Sequence, residues 1–160
     1  MDSTPEPLGP GPFRHDLPAG PVQGPAYSWA FRALALGIVL ACSAGTSQLA
    51  WTEQLKGGGL VWSLAALAMM GWITWHILRS RTTLSSEGLH QSWVWDKHLA
   101  LQDLAYARVI RIPGLDWLIA PRLYARSLGG KFTVFYGASP ALIAEFTRLQ
   151  HAVRVHYIPG

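Results

Sequence analysis

Acidic side chains would be the first candidates for acid–base catalysis or metal binding, and in this sequence they are isolated from one another. No GxSxG, phosphate-binding loop or GxGxxG motif is present, and the six histidines do not have the HExxH spacing of a zinc site. The single cysteine, Cys42, excludes an intrachain disulfide and a CxxC site. We therefore expect a protein that is not an enzyme and that uses no cofactor and no metal ion.

Two surfaces outside the predicted membrane helices are candidate binding sites, and the first of them is basic. Arg122, Arg126 and Lys131, together with Arg108 and Arg111, could form a positively charged face toward anionic lipid. In the segment "RLYARSL" the strand period of two separates the basic side chains from the apolar ones. The alternative is an ordinary solvated strand face, which the sequence favours over specific lipid recognition.

The second surface is the apolar segment of residues 112–121, "IPGLDWLIAP". Its candidate contact residues are Leu115, Trp117, Leu118 and Ile119. If this segment is exposed, it would enter the headgroup region of a bilayer or bind a partner. Otherwise its side chains fill the interior of the domain, and the sequence leaves both interpretations open.

The composition indicates a membrane protein. Of 160 residues, 50% are hydrophobic and only 14% are charged, whereas soluble domains carry about a quarter. The formal net charge of +4 fits attraction to an anionic membrane surface. Because the basic residues are scattered and no nucleic-acid motif is present, we do not expect nucleic acid as a partner.

Two uncharged runs, residues 33–51 and 60–78, are each long enough to cross a bilayer as a helix. The short segment "TEQLKGGG" between them can only turn the chain back, so residues 26–80 are predicted to form an antiparallel transmembrane hairpin. The predicted membrane-interface residues are Trp29, Trp51, Trp62, Trp75, Arg32, Arg79 and Arg81. Lys and Arg are concentrated on the side of the two termini, which the positive-inside rule places in the cytoplasm.

Small residues recur at every fourth position of the first predicted helix. Ala33, Gly37, Ala41 and Gly45 would form a smooth stripe that lets another helix approach closely. Packing against the second helix of the hairpin is the favoured interpretation, and contact with another protein is the alternative.

The apolar run that ends at Cys42 allows one further interpretation, a lipoprotein signal with Cys42 as the lipidated residue. However, the preceding region is long and rich in proline, unlike the short basic start of a signal peptide. An uncleaved membrane helix is therefore favoured.

The chain outside the hairpin divides into a tail and a domain. Residues 1–25 are rich in proline and glycine, which predicts a disordered tail. From residue 81 onward, short segments rich in β-branched and aromatic residues alternate with turn signals such as Gly129-Gly130, which predicts six or seven strands. Ser139, Pro140 and an apolar stripe through Val153 predict a closing helix. Residues 81–156 are thus an α+β domain.

This layout resembles the bacterial PH-like (pleckstrin-homology-like) membrane proteins. The resemblance rests on the two-helix hairpin followed by "RTTLSSEGL", the predicted "WVW" strand, "LAYARVIRI", the "LGGKFTVF" hairpin and the final helix. It covers about half of the chain and implies an antiparallel β-barrel or sandwich closed by the C-terminal helix. A departure is that Leu104-Ala105-Tyr106 replaces the usual Pro-Trp. The chain is similar, more weakly, to YgfX-type inner-membrane proteins.

The resemblance implies a multi-pass protein of the bacterial inner membrane with both termini in the cytoplasm. Its expected role is that of a non-catalytic scaffold or accessory subunit, whose partners are other membrane protein subunits and the lipid bilayer. Two alternatives remain. One is a regulatory or toxin-like protein of the YgfX type that acts on soluble cytoplasmic partners, and the other is a sensor of anionic lipid.

Overall fold

The computed structural model describes residues 11–17, 20–52, 54 and 57–157. In chain order its helices and strands are β1 (Val22–Pro25), α1 (Trp29–Trp51), α2 (Gly58–Arg79), β2 (Arg81–Leu84), β3 (Gly88–Gln91), β4 (Lys97–Ala100), β5 (Leu104–Ile110), β6 (Arg122–Ser127), β7 (Phe132–Tyr136) and α3 (Pro140–Tyr157). A single turn of 3-10 helix, Leu101–Asp103, joins β4 to β5.

The two long helices match the prediction from the uncharged runs. α1 and α2 are each long and apolar enough to cross a membrane. Ser28 begins α1 because its side-chain oxygen accepts a hydrogen bond from the backbone N–H of Phe31. In the first turn of α1, the Arg32 guanidinium donates a hydrogen bond to the carbonyl of Leu78, which lies in the last turn of α2. The two helices are thus fixed to each other where they leave the sheets.

A four-stranded antiparallel sheet has the order β1-β2-β3-β4. Its first two strands lie on either side of the helical hairpin in the sequence, and Val22 pairs with Leu84 while Pro25 pairs with Arg81. The pairing continues beyond the strands, since the Ala26 N–H donates to the Ser80 carbonyl at 3.1 Å. Consequently α1 and α2 begin and end on adjacent strands of one sheet.

The N-terminal segment differs from the predicted disordered tail of residues 1–25. In its described part, β1 forms the edge of the first sheet, and Phe13 is a buried core residue. His15 lies 3.8 Å from Glu145 of α3, which links the segment to the last helix. The prediction of disorder was wrong for residues 22–25. Proline and glycine content reflects only local conformational preference, whereas pairing with β2 supplies hydrogen-bond partners for the backbone of β1. Residues 1–10, 18 and 19 lie outside the described residues.

The second sheet contains β5, β6 and β7 in that order, all antiparallel. The β6–β7 hairpin turns at Gly129-Gly130 as predicted, and Gly130 has a φ of +81°, which glycine adopts without steric cost. Ser127 and Lys131 close the turn, with the Ser127 N–H donating to the Lys131 carbonyl at 2.9 Å.

The two sheets do not form a closed barrel within the described part of the chain. Side chains instead satisfy backbone groups at the sheet edges. The Tyr136 N–H donates to Gln91 Oε1 at 3.1 Å, and the Thr82 hydroxyl donates to the Tyr136 carbonyl at 2.6 Å. On the opposite edge, the Val109 N–H donates to Gln150 Oε1 of α3 at 2.7 Å. These bonds stabilise the edges because unpaired buried backbone groups are costly.

The third helix lies across β5 and β1 and covers the core, in agreement with the predicted closing helix. The apolar stripe predicted for this helix is the face it buries. The buried apolar core is formed by Phe13, Leu84, Leu89, Leu99, Leu101, Leu104, Ala107, Leu123, Ala125, Phe135, Leu142, Phe146, Leu149 and Val153. We call residues 11–17, 20–28 and 80–157 the sheet domain.

The segment "WVW" is a loop and not the predicted strand. β3 ends at Gln91, and residues 92–96 connect it to β4. The loop forms because Ser92 bonds to Arg81 through both its N–H and its hydroxyl, and because the Asp96 carboxylate accepts the N–H of Trp93 at 3.4 Å.

Candidate functional site

The small-residue stripe of α1 does not pack against α2. Ala33, Gly37 and Ala41 are exposed, and a side chain added at Gly37 or Gly45 would meet nothing within 4 Å. The half-buried positions of α1, which include Ala35, Val39, Ser43, Thr46 and Ala50, lie nearly opposite the stripe on the helical wheel and face α2. The interpretation favoured from the sequence was therefore wrong. The Arg32–Leu78 and Ser28–Leu118 hydrogen bonds fix the rotation of α1 at its base, which a repeat of small residues cannot reveal.

The predicted membrane-interface residues lie at both ends of the hairpin. Four tryptophans are exposed there: Trp29, Trp51, Trp62 and Trp75. Arg79 lies over the Trp75 ring at 4.1 Å, an arrangement in which a cation is attracted to the indole face. Arg81 is exposed at the start of β2. The sheet-side end of the hairpin therefore combines tryptophan with arginine, as expected of a membrane–water interface.

The segment of residues 112–121 is the loop between β5 and β6, and its two halves differ. Leu115 and Trp117 are exposed, with 60% of the Trp117 surface accessible. Leu118 and Ile119 are half-buried. The Ser28 hydroxyl donates to the Leu118 carbonyl at 2.6 Å, so the loop is attached to the first turn of α1. The second half thus anchors the loop, and the first half is free to make contacts.

Replacing Ser28 with alanine is expected to lower the stability of the sheet domain by about 1–2 kcal/mol, since it removes a helix cap and the bond to the loop. Urea unfolding of the protein in nanodiscs would measure the change. Ser63→Ala is the matched control, because within the described part of the chain Ser63 bonds to the Gly59 carbonyl of its own helix and to no other element. Equal losses for the two variants would contradict the prediction.

The outward side of the second sheet is a further candidate site, and we call it the outer face. Direct pairing across β5, β6 and β7 groups its side chains in three rows. The rows are Tyr106–Arg126–Phe132, Arg108–Tyr124–Val134 and Ile110–Arg122–Tyr136. Three of the nine positions are arginine, four are aromatic and none is acidic. The opposite side of β6 carries the buried Leu123 and Ala125, as the alternation predicts.

Cations lie over aromatic rings on the outer face. Arg122 is 5.4 Å from the ring centroid of Tyr136, and Arg126 is 5.2 Å from that of Phe132. Lys97 approaches Tyr136 from β4 at 5.7 Å, and its ammonium donates to the Val134 carbonyl. These contacts hold the long basic side chains flat against the sheet, so that each cation covers part of a neighbouring aromatic ring.

Burial changes the acid–base behaviour of two groups beside Tyr136. Partial burial lowers the pKa of Lys97 because it disfavours the charged ammonium. Burial, and secondarily Tyr136, raises the pKa of Tyr27. The Tyr27 ring lies 5.5 Å from Tyr136 and 5.3 Å from Phe31 of α1. An aromatic series therefore connects the outer face to the first turn of α1.

The basic residues predicted as one surface are spread over the length of β6. Arg122 begins the strand next to the loop of residues 112–121, whereas Arg126 is four residues further on, about 13 Å away. Lys131 lies beyond the hairpin turn and outside the three rows. Tyr124 shares the predicted basic face of β6, but Tyr106 of β5 and Phe132 and Tyr136 of β7 were not predicted there, because that surface was defined by its charges. The alternation in "YARVI" and "FTVFY" was the signal that could have found them.

Among the residues that the structure describes, no group of three His, Cys, Asp or Glu side chains is placed to hold a metal ion. In comparisons with known proteins, the chain matches no family model, and neither a curated protein nor a solved structure matches it at a significant level.

Proposed function

We propose that this protein is a non-catalytic integral membrane protein, a scaffold or accessory subunit of a larger membrane complex. The observation that carries the proposal is the composition of the outer face. The solvated face of an antiparallel sheet is usually polar, whereas this face combines arginine with tyrosine and phenylalanine and has no acid. Arginine and aromatic residues are the types that dominate binding energy at protein interfaces.

The charge of the outer face indicates the kind of partner. Arg108, Arg122 and Arg126 have no acidic neighbour in the three rows, so a complementary surface would be acidic and partly apolar. The aromatic series through Tyr27 to Phe31 joins this face to α1. A partner that itself crosses the membrane could therefore contact the sheet domain and the helical hairpin together, which favours another membrane subunit.

The exposed stripe of α1 supports the same role within the membrane. Ala33, Gly37 and Ala41 face away from α2 and leave room for close approach of a second helix. In lipid, association depends on such close packing, because the lipid tails are as apolar as the helix surface.

The strand arrangement supports a PH-like identity for the sheet domain. The two antiparallel sheets, of four and three strands, and the helix after the last strand are compatible with the antiparallel sandwich expected from the resemblance. In this proposal the transmembrane hairpin is an insertion between the first and second strands of the PH-like unit. The bacterial inner membrane, with the sheet domain in the cytoplasm, is the location we propose from the positions of Arg32, Arg79 and Arg81.

Charge reversal on the outer face tests the proposal. Arg122→Glu combined with Arg126→Glu is expected to reduce recovery of a co-purifying membrane subunit at least about tenfold. The measurement is quantitative mass spectrometry after purification in mild detergent. The matched control is Arg14→Glu with Arg154→Glu, two exposed cations outside the outer face. A benzophenone amino acid at Tyr124, the centre of the face, should cross-link the same subunit.

Three outcomes would count against the proposal. Unchanged recovery with the outer-face reversal would remove the face from partner binding. Recovery of soluble partners only would favour the YgfX-type alternative. Loss of binding to anionic liposomes, without any effect on protein partners, would favour the lipid sensor.

A further inference from the structure

Two loops with exposed tryptophans lie at the end of the sheet domain from which the helices leave. One is the β3–β4 loop of residues 92–96, and the other is the β5–β6 loop of residues 111–121. Trp95 in the first loop is 75% exposed, and Trp117 in the second is 60% exposed. Neither side chain belongs to the core or to the outer face.

The β3–β4 loop is tied to the end of α2. Ser80, which is buried and ends α2, donates its hydroxyl to the Ser92 carbonyl at 2.5 Å. Ser92 also donates its N–H to the Arg81 carbonyl and accepts the Arg81 N–H on its hydroxyl. Trp93 follows directly, and its ring lies 6.5 Å from that of Trp95 in an edge-to-face contact. Trp95 therefore lies three residues after Ser92, which is hydrogen-bonded to the end of α2.

The β5–β6 loop is tied to the start of α1. Trp117 precedes Leu118, whose carbonyl accepts the Ser28 hydroxyl. Trp117 also lines the same groove as Trp29 and Arg32 of α1. The loop has internal bonds of its own, since the N–H groups of residues 118 and 119 both donate to the Leu115 carbonyl. Hydrogen bonds therefore hold the loop that carries Trp117 beside the first turn of α1.

We propose that Trp95 and Trp117 insert into the headgroup layer of the membrane that α1 and α2 cross. This inference rests on the membrane location proposed above. An indole has a large apolar body and one N–H donor, so it is most stable where hydrocarbon meets water. Trp29 and Trp75 mark that level on the helices, and the hydrogen bonds just described hold the two loops close to it.

The consequence is a fixed orientation of the sheet domain on the bilayer. The hairpin alone attaches the domain through two adjacent strands, β1 and β2. Two further contacts, one on each loop, would prevent the domain from tilting about that attachment. The outer face would then be held at a constant angle to the membrane, so that a partner embedded in the same bilayer meets it in one orientation.

Nitroxide depth measurements on the full chain in vesicles of phosphatidylcholine and phosphatidylglycerol test the inference. Single cysteines would replace Trp95, Trp117, Leu128 and Leu40 in a Cys42→Ser background. Leu128 is the matched control, because it is an exposed apolar residue at the β6–β7 hairpin, at the far end of β6 from the Trp117 loop. Leu40 is exposed in the middle of α1 and reports on the membrane location itself.

We expect the ratio of oxygen to nickel-chelate accessibility to be several-fold higher at positions 95 and 117 than at position 128, and highest at position 40. Water-like accessibility at 95 and 117, with position 40 protected, would overturn the insertion of the loops and leave the membrane location intact. Water-like accessibility at position 40 would overturn the membrane location. Because both tryptophans are exposed, the substitutions leave the core unchanged, and hydrogen exchange of β3 and β6 would verify this.

Discussion

Replacing Phe13 with alanine is expected to lower the free energy of unfolding of the sheet domain by about 3 kcal/mol. Only 3% of the Phe13 surface is accessible, and the ring packs in the core with an edge-on contact to His156 at 5.5 Å. Removing it leaves a cavity and loses apolar burial. A segment composed of proline and glycine would thereby prove to be part of the folded domain. Urea unfolding in nanodiscs, followed by pulse proteolysis, would measure the change.

Phe132→Ala is the matched control for this prediction. Phe132 is also a phenylalanine, but it is 65% exposed on the outer face, so its removal should cost well under 1 kcal/mol. The Phe13 variant should in addition lose hydrogen-exchange protection at the β1–β2 pairing, because that segment carries β1. A stability equal to that of the wild type would show that the N-terminal segment is not part of the fold.

Gly88→Ala is expected to destabilise the sheet domain by about 2 kcal/mol through overpacking. An added Cβ would lie 2.6 Å from the Leu99 carbonyl oxygen and 3.2 Å from Ala100 Cα, both of which are backbone atoms of β4. Since backbone atoms of a paired strand cannot move aside as a flexible side chain can, the β3–β4 ladder must shift. The same unfolding experiment would detect the loss.

Gly129→Ala provides the comparison for Gly88. An added Cβ at Gly129 would meet only the Ser127 hydroxyl at 3.8 Å, an ordinary contact distance. We therefore expect a change within about 0.5 kcal/mol for this variant. If the two glycine variants were equally stable, that result would contradict the close contact between Gly88 and the backbone of β4.

Much of the local structure follows from residues close together in the chain. The absence of charge over residues 33–51 and 60–78 predicts two long apolar helices, and α1 and α2 contain these runs. The apolar stripe that ends at Val153 predicts α3 and the face it buries. Each of these signals depends on helical periodicity or composition within one element, so it can be recognised without knowledge of any distant contact.

The candidate site could be predicted only in part. The alternation of Arg122 and Arg126 against buried neighbours was readable within β6. The aromatic side chains beside them come from β5 and β7, and their register depends on pairing between strands. Register between distant strands is set by which faces are buried, and that depends on the complete core.

The sequence by itself determined the apolar helices, the glycine turn at Gly130 and the amphipathic last helix, because each depends on residues within a few turns or one hairpin. Only the tertiary structure decided that β1 joins the sheet across the whole hairpin and that the small-residue stripe faces away from α2. It also decided that Trp95 and Trp117 lie beside the helix ends. These features depend on hydrogen bonds such as Ser28–Leu118 and Ala26–Ser80, between residues far apart in the chain, which no local pattern encodes.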